Sequence, residues 1–120
     1  MGQLHGPKFS ARWVTALLAL AFGVGGGLAG VALAATTFKV TQRGRAFQPA
    51  EISIKQGDTV QFINDDGDLL HHAYLNSEKF TFDTGDQEPG SKSDVVFTAK
   101  GDFVVLCGIH PKMKLTVHVK

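Results

Sequence analysis

From Phe38 onward, apolar and polar residues alternate along the chain with a period of two, which is typical of half-buried β-strands. The alternating segments are separated by turn sequences such as Gln56-Gly57-Asp58 and Glu88-Pro89-Gly90. Strands of about five residues at this spacing, with no helical periodicity, predict an all-β sandwich or barrel. The predicted strands are centred on Phe38–Val40, Ile52–Ile54, Val60–Phe62, His71–Leu75, Phe80–Phe82, Val95–Phe97, Phe103–Val105 and Leu115–Val119.

The N-terminal segment has a different composition. Lys8 and Arg12 are followed by 26 residues, Trp13 to Phe38, that carry no charge. A basic start, an apolar stretch and the small residues of Ala32-Leu33-Ala34 predict a secretory signal peptide cleaved before Ala35. The alternative is an uncleaved membrane anchor, because 26 uncharged residues are long enough to span a bilayer, although five glycines within them weaken such a helix.

Either interpretation of the N-terminal segment predicts export. We expect residues 1–35 to be a signal peptide or N-terminal membrane anchor, and residues 36–120 to form the folded domain. In a bacterium this places the domain in the periplasm, free or anchored to the outer face of the inner membrane. A membrane contact is expected only if the segment is not cleaved.

The predicted domain is close to neutral. The chain after Thr37 holds 10 of the 12 basic residues and all 11 acidic residues, a net charge of −1. A nucleic-acid-binding protein needs a basic face, so we expect no nucleic-acid partner. The chain has one cysteine, Cys107. It cannot form an internal disulfide, so in an exported protein it is either a free thiol or a metal ligand.

Cys107 opens the segment Cys107-Gly108-Ile109-His110-Pro111-Lys112-Met113, which combines a thiolate, an imidazole and a thioether. Copper is selected by soft sulfur ligands together with imidazole. One cysteine and two histidines, with a weak axial methionine, form the trigonal site of blue-copper electron-transfer proteins. Cys107, His110 and Met113 are therefore candidate ligands, and a second histidine has to come from another segment.

His71 and His72 are the candidates for that second histidine. His71 shares a strand face with Ala73 and Leu75, whereas His72 shares the other face with Tyr74. The face with Ala73 and Leu75 is the more apolar one. We therefore expect His71 to point inward as the ligand, with His72 as the alternative.

The same reasoning from strand phase applies to other polar residues. It places Cys107 on the inward face of its strand and His118 on the face toward water. Asp65, Asp66 and Asp68 are expected to form a solvated turn.

Two segments of the chain resemble the cupredoxin family, in particular its plastocyanin- and amicyanin-like members. They are Asn64-Asp65-Asp66-Gly67-Asp68-Leu69-Leu70-His71 and Cys107–Met113, the latter with the spacing C-x-x-H-P-x-M. The resemblance implies a Greek-key β-sandwich of about eight strands with one type 1 copper ion at one end. The ligands that it implies are His71, Cys107, His110 and Met113.

The sequence departs from the family pattern beside the implied copper ligands. Relatives carry an asparagine after the first ligand histidine and a hydroxyl residue after the cysteine, and these side chains hydrogen-bond across the site. Here the two positions are His72 and Gly108. We therefore expect the site to lack this bond, which matters because such contacts tune metal sites.

The residues and the resemblance together predict a one-electron carrier that cycles between Cu(II) and Cu(I). Its partners would be a redox donor and acceptor bound transiently, and the protein would be a monomer and not an enzyme. Lys112 and Lys114 flank Met113 and would give weak attraction for an acidic partner. The alternative is a periplasmic copper chaperone or store, which would favour several exposed methionines or histidines, whereas Met113 is the one internal methionine.

Overall fold

Nine strands and no helix form the part of the chain that the computed structural model describes, residues 34–120. Residues 35–120 make up one unit, and the predicted signal segment falls almost entirely outside the described residues. Within 34–120, no helix is long and apolar enough to cross a membrane. The strands are β1 (Thr37–Gln42), β2 (Phe47–Gln48), β3 (Glu51–Ile54), β4 (Thr59–Asn64), β5 (Ala73–Asn76), β6 (Thr81–Asp83), β7 (Lys92–Val96), β8 (Gly101–Cys107) and β9 (Lys114–Val119).

The strands form two sheets. The first has the order β2-β1-β4-β7 and the second the order β3-β9-β8-β5-β6. Pairs β1–β4 and β3–β9 are parallel, and the other pairs are antiparallel. Because strands that follow each other in the chain often belong to different sheets, the connections cross from one sheet to the other. The predicted all-β sandwich is confirmed, with nine strands in place of about eight.

The additional strand is β2, whose two residues are too short to show an alternating pattern. It pairs with the end of β1, where Gln42 lies opposite Phe47. The turn between them, Arg43–Ala46, is closed by two backbone hydrogen bonds between its end residues, of 3.0 and 3.2 Å. This turn lies near the candidate site and contributes to it.

Alternating side chains of both sheets form the core, as the pattern predicts. Val60 and Phe62 on β4 are fully buried, as are Val105 on β8 and Val117 on β9. Burial of each such side chain contributes about 1.5–3 kcal/mol. Four phenylalanine rings fill one region of the core, with neighbouring ring centroids 5.1 to 6.3 Å apart: Phe80, Phe82, Phe97 and Phe103.

The order of the second sheet places the candidate ligands at one end of the sandwich. Cys107 is the last residue of β8 and lies opposite Ala73, the first residue of β5. His71 lies two residues before Ala73. The loop from β8 to β9 holds His110 and Met113, so the sheet brings segments that are distant in the sequence to the same edge.

Candidate metal centre

Three candidate ligands converge at this end of the sandwich. Cys107 Sγ lies 3.9 Å from Nδ1 of His71 and 3.8 Å from Nδ1 of His110. The donor atoms of the three residues all lie within 4.8 Å of one another, and the two imidazole ring centroids are 5.1 Å apart. The part of the chain that the structure describes contains one such group of three metal-binding side chains.

Cys107 is positioned by strand β8. It shares the buried face of that strand with Phe103 and Val105, and all three are at most 3% exposed, which confirms the prediction from strand phase. Its backbone pairs with Ala73 on β5, and the ladder from β8 to β9 ends one residue earlier, at Leu106. The thiol is therefore held by the sheet and not by a loop.

His71 is held by a two-way backbone bridge. Its N–H donates to the carbonyl of Gln87 at 3.2 Å, and the N–H of Gln87 donates to the carbonyl of His71 at 2.7 Å. The His71 side chain is fully buried, whereas the His72 side chain is 24% exposed. The prediction that His71 is the inward histidine of the pair is confirmed.

Asp66 contacts the side of the His71 ring that faces away from Cys107, and for this residue the expectation of a solvated turn is wrong. Its Oδ2 accepts a hydrogen bond from Nε2–H of His71 at 2.5 Å, and its Oδ1 accepts one from the N–H of Gly44 at 3.0 Å. Partial burial alone would raise the pKa of Asp66, but these hydrogen bonds lower it below its ordinary value. A proton on Nε2 leaves the Nδ1 lone pair directed at Cys107, the tautomer that a metal needs.

The remaining acidic residues of that loop follow the expectation. Asp65 and Asp68 are exposed. Asp65 pairs with Arg43 at 3.2 Å, an exposed contact of little energetic weight. Asp66 differs because the turn before β2 folds over it and supplies the backbone donor.

Buried side-chain amides hydrogen-bond to Gln87, the partner of His71 in the backbone bridge. Asn64 donates to the carbonyl oxygens of Leu69 and Gln87, both at 2.8 Å, and accepts from the N–H of Asp66 at 2.9 Å. The Gln87 side chain accepts a bond of 2.8 Å from Gln42. Asn64, Gln87 and Gln42 are at most 2% exposed, so this polar network replaces apolar core on the side of β4 next to the site.

His110 and Met113 come from the loop between β8 and β9. The N–H of Met113 donates to the carbonyl of His110 at 3.0 Å, which closes a tight turn. Met113 is 1% exposed, whereas His110 is half-buried and reaches the surface. Desolvation, together with the nearby His71 and Arg45, lowers the pKa of His110 below its ordinary value. This favours the neutral imidazole that binds metals.

His72 and Gly108 form a contact that replaces the side-chain bond of relatives. The N–H of Gly108 donates to the carbonyl of His72 at 2.8 Å. A Cβ at position 108 would lie 3.2 Å from Nδ1 of His72, so the ring covers the space that a side chain would need. Nδ1 lies 3.1 Å from Asp86, and Nε2 bonds to Asp83. The predicted absence of the usual bond holds, and a histidine clamped by two carboxylates takes its place.

The donor set fits a trigonal copper ion. Ligand bonds of roughly 2.0 to 2.3 Å at 120° place neighbouring donor atoms about 3.8 Å apart, close to the two distances from Cys107 Sγ. Two of the three candidate ligands, His71 and Cys107, are buried away from solvent. One thiolate and two imidazoles are the equatorial set of a blue-copper site.

The comparison with known families agrees with this geometry. Residues 34–120 match the copper-binding proteins of the plastocyanin/azurin family. The chain belongs to this family. The predicted cofactor, one type 1 copper ion, is thereby confirmed, and so is the cupredoxin resemblance. The assignment of each ligand stays a prediction.

Solved structures share the fold at low sequence identity. The chain is similar to a copper-containing nitrite reductase from Thermus scotoductus SA-01, with 30% identity and a TM-score of 0.66 over 78% of this chain and 24% of the reductase chain. It is 22% identical to an oxidised amicyanin mutant (TM-score 0.64, 70% and 82% covered). It is 20% identical to a purple cupredoxin from Nitrosopumilus maritimus (TM-score 0.61, 69% and 99% covered). No curated protein matches the chain in sequence.

The coverages show that the fold occurs in two kinds of protein. The chain matches most of the length of amicyanin and of the purple cupredoxin, but it spans about a quarter of the reductase chain. A domain of this kind is therefore found both as a small protein and within a copper enzyme.

Proposed function

We propose that this protein is a blue-copper carrier of single electrons. His71, Cys107 and His110 would hold the copper ion, with Met113 as a weaker fourth ligand. The observation that supports this most strongly is the convergence of one thiol and two Nδ1 atoms within 4.8 Å at the end of the sandwich. Copper, when bound, supplies the Cu(II)/Cu(I) couple.

The protein holds these ligands with little freedom to rearrange. Cys107 is fixed by its pairing with β5 directly after the last residue that pairs with β9, and His71 is fixed by the bridge to Gln87 and the bond to Asp66. A rigid ligand set limits rearrangement between the two oxidation states, and this favours fast electron transfer. His110 is the equatorial candidate that reaches the surface, so we place the path of the electron through its ring.

The sequence supports a proposal for where the domain acts and how it meets its partners. We propose that the domain acts outside the cytoplasm as a monomer that meets its electron donor and acceptor transiently. The charge-free N-terminal segment supports export. The near-neutral composition of the domain is compatible with short-lived encounters in which local charges orient the partners.

A visible absorption spectrum tests the copper assignment. The Cu(II) protein is expected to absorb strongly through charge transfer from the Cys107 thiolate. Cys107→Ser is expected to lose this band, because serine offers no thiolate, while the far-ultraviolet circular dichroism of the β-sandwich is retained. An intense blue band that survives in the folded Cys107→Ser protein would exclude the assignment.

The likeness to nitrite reductase supports a narrower second candidate, an electron carrier that serves a copper nitrite reductase. The reductase relative is 30% identical to this chain and contains a matching region. The two candidate functions predict different responses of the reduced protein to nitrite. Reduced protein that is oxidised by nitrite only when a copper nitrite reductase is added would favour the second candidate, and equal oxidation without the reductase would make the protein itself an enzyme.

A further inference from the structure

The turn between β1 and β2 has an unusual backbone conformation. Its two central residues, Gly44 and Arg45, have φ angles of 62° and 56°, and positive φ at both positions is typical of a type I′ hairpin turn. Arginine is disfavoured in this left-handed region, which glycine, asparagine and aspartate tolerate better. Among the described residues, Arg45 is the one residue other than glycine with a positive φ. Such an outlier indicates that the turn has a role that requires its conformation.

The conformation of this turn directs backbone donors toward Asp66. The N–H of Gly44 donates to Oδ1 of Asp66 at 3.0 Å, and the N–H of Arg45 adds a weaker attraction to the same carboxylate. Successive backbone N–H groups in a turn form a concave site for an anion, called a nest. Two hydrogen bonds between Arg43 and Ala46 close the turn, so the donors are held in place.

The second oxygen of Asp66 connects the turn to the candidate metal site. Oδ2 accepts the hydrogen bond of 2.5 Å from Nε2–H of His71. The backbone N–H of Asp66 donates to Oδ1 of Asn64 at 2.9 Å, so the backbone and the side chain of Asp66 are both fixed. The Asp66 side chain is 12% exposed and that of His71 is fully buried. Solvent therefore screens this contact little.

We propose that Asp66, held by the turn, is a positioning residue that lowers the reduction potential of the copper site. A carboxylate that accepts the Nε2 proton of a ligating imidazole raises the basicity of the Nδ1 atom. A more basic nitrogen and a nearby negative charge both favour Cu(II) over Cu(I), because the electrostatic attraction grows with the charge of the ion. This inference rests on the proposed electron-carrier function and adds how its potential is set.

The first experiment measures the reduction potential of the copper protein by voltammetry. Asp66→Asn removes the charge at nearly constant volume and is expected to weaken Cu(II) binding about tenfold, with little change in Cu(I) binding. For a one-electron couple, this raises the potential by about 59 mV. The matched control, Asp68→Asn, removes an exposed carboxylate two residues further along the loop and should shift the potential far less.

Two results of this experiment would overturn the proposal. One is a rise in the potential of Asp66→Asn that is no larger than the rise in Asp68→Asn. The other is an equal loss of affinity for Cu(II) and Cu(I) in Asp66→Asn, because that is what a merely structural role predicts.

A second pair of variants tests the turn. Gly44→Val places a β-branched residue at a φ of 62°, and its control, Gly57→Val, does so at 93° in the turn before β4, at the end of that strand away from the site. A Cβ at either position meets no atom within 4 Å, so both changes act through the backbone. Gly44→Val is expected to give part of the rise in potential in the wild type and none in Asp66→Asn, whereas Gly57→Val should give none in either. A shift by Gly44→Val that persists in Asp66→Asn would overturn the role of the turn.

Nitrogen NMR of the metal-free protein gives a readout that does not depend on copper or on the folding of a variant. The His71 ring of the wild type is expected to carry its proton on Nε2, with the proton signal at low field because of the bond to Asp66. In Asp66→Ala the two tautomers should mix. A proton on Nδ1 in the wild type would overturn the proposal.

These outcomes are separable from a failure of the proposed function. If the protein is not a copper electron carrier, the wild type lacks the blue band and shows no Cu(II)/Cu(I) couple, while the NMR measurement still reports on the contact between Asp66 and His71. If only this inference fails, the wild type is blue and its potential responds equally to Asp66→Asn and Asp68→Asn.

Discussion

The His72 ring occupies space that is open because residue 108 is glycine. A Cβ there would lie 3.2 and 3.3 Å from Nδ1 and Cγ of that ring, which is too close for an easy fit. The ring cannot shift freely, because Asp83 and Asp86 hold its two nitrogens. The two departures from the family pattern are therefore physically coupled: a large ring at one position requires a small residue at the other.

This coupling gives a prediction for a double-mutant cycle. Gly108→Ser is expected to lower the free energy of unfolding of the metal-free protein by about 1 kcal/mol through overpacking. His72→Asn should cost less than this, because the contacts with Asp83 and Asp86 that it removes are exposed. In the double variant the clash is gone, so its decrease in the free energy of unfolding should be smaller than the sum of the decreases in the two single variants. Urea unfolding of the four proteins measures the coupling, and strictly additive losses would contradict it.

At the scale of residues, the sequence was sufficient to predict the candidate ligands but not to predict which residues surround them. Cys107, His110 and Met113 are close in sequence, and strand phase alone distinguishes His71 from its neighbour. Asp66 was predicted wrongly because its partner His71 and its donor Gly44 are brought together only by the packing of the turn before β2. Arg45, 65 residues before His110, could not be placed near it by any local pattern.

At the scale of elements, the eight segments predicted from alternation all coincide with strands or their edges. Alternation shows which side of a strand is buried, because successive side chains point to opposite faces. It does not show which strands pair. The parallel pairs β1–β4 and β3–β9 depend on how the connections cross the sandwich, and β2 is too short for any period to be visible.

Strands β3, β9 and β8 share a polar clamp on their outer face. Nε2 of His118 lies 2.6 Å from Glu51 on β3, and Nδ1 lies 2.7 Å from Asp102 on β8. Hydrogen bonds that His118 donates to Glu51 and to Asp102, in that order of effect, raise the pKa of His118 above its ordinary value. Both nitrogens donate only when the ring is protonated, so the clamp is strongest when His118 is charged.

The clamp predicts a stability that depends on pH. Since the folded pKa of His118 is raised, its contribution is fully present below the unfolded pKa of about 6.5 and is lost as pH rises through the folded value. His118→Gln should therefore destabilise the metal-free protein clearly near about pH 6 and much less near about pH 9. Chemical unfolding of both proteins at the two values measures this. A difference in unfolding free energy between the wild type and the variant that stays constant or grows with pH would contradict the clamp.

At the scale of the whole molecule, the copper site and the fold are linked. The described domain has a modest core, and part of the space next to the site is filled by the amides of Gln42, Asn64 and Gln87. The donor atoms of the site come from three segments: the approach to β5, the end of β8 and the loop that follows it. A metal that joins these segments in the folded state, and not in the unfolded one, stabilises the fold.

The resulting prediction is a large rise in Tm on copper binding. Free Cu(II) at 100 times its Kd adds about 2.7 kcal/mol, and each kcal/mol moves the Tm of a domain of this size by about 4–8 °C. The copper protein should therefore melt roughly 10 to 20 °C above the metal-free protein in calorimetry. Cys107→Ser should melt near the metal-free wild type and gain little from Cu(II), because serine lacks the thiolate but is close to cysteine in shape and only slightly smaller. A similar rise in that variant would show that copper stabilises the domain through other residues, and the link between this site and the fold would be lost.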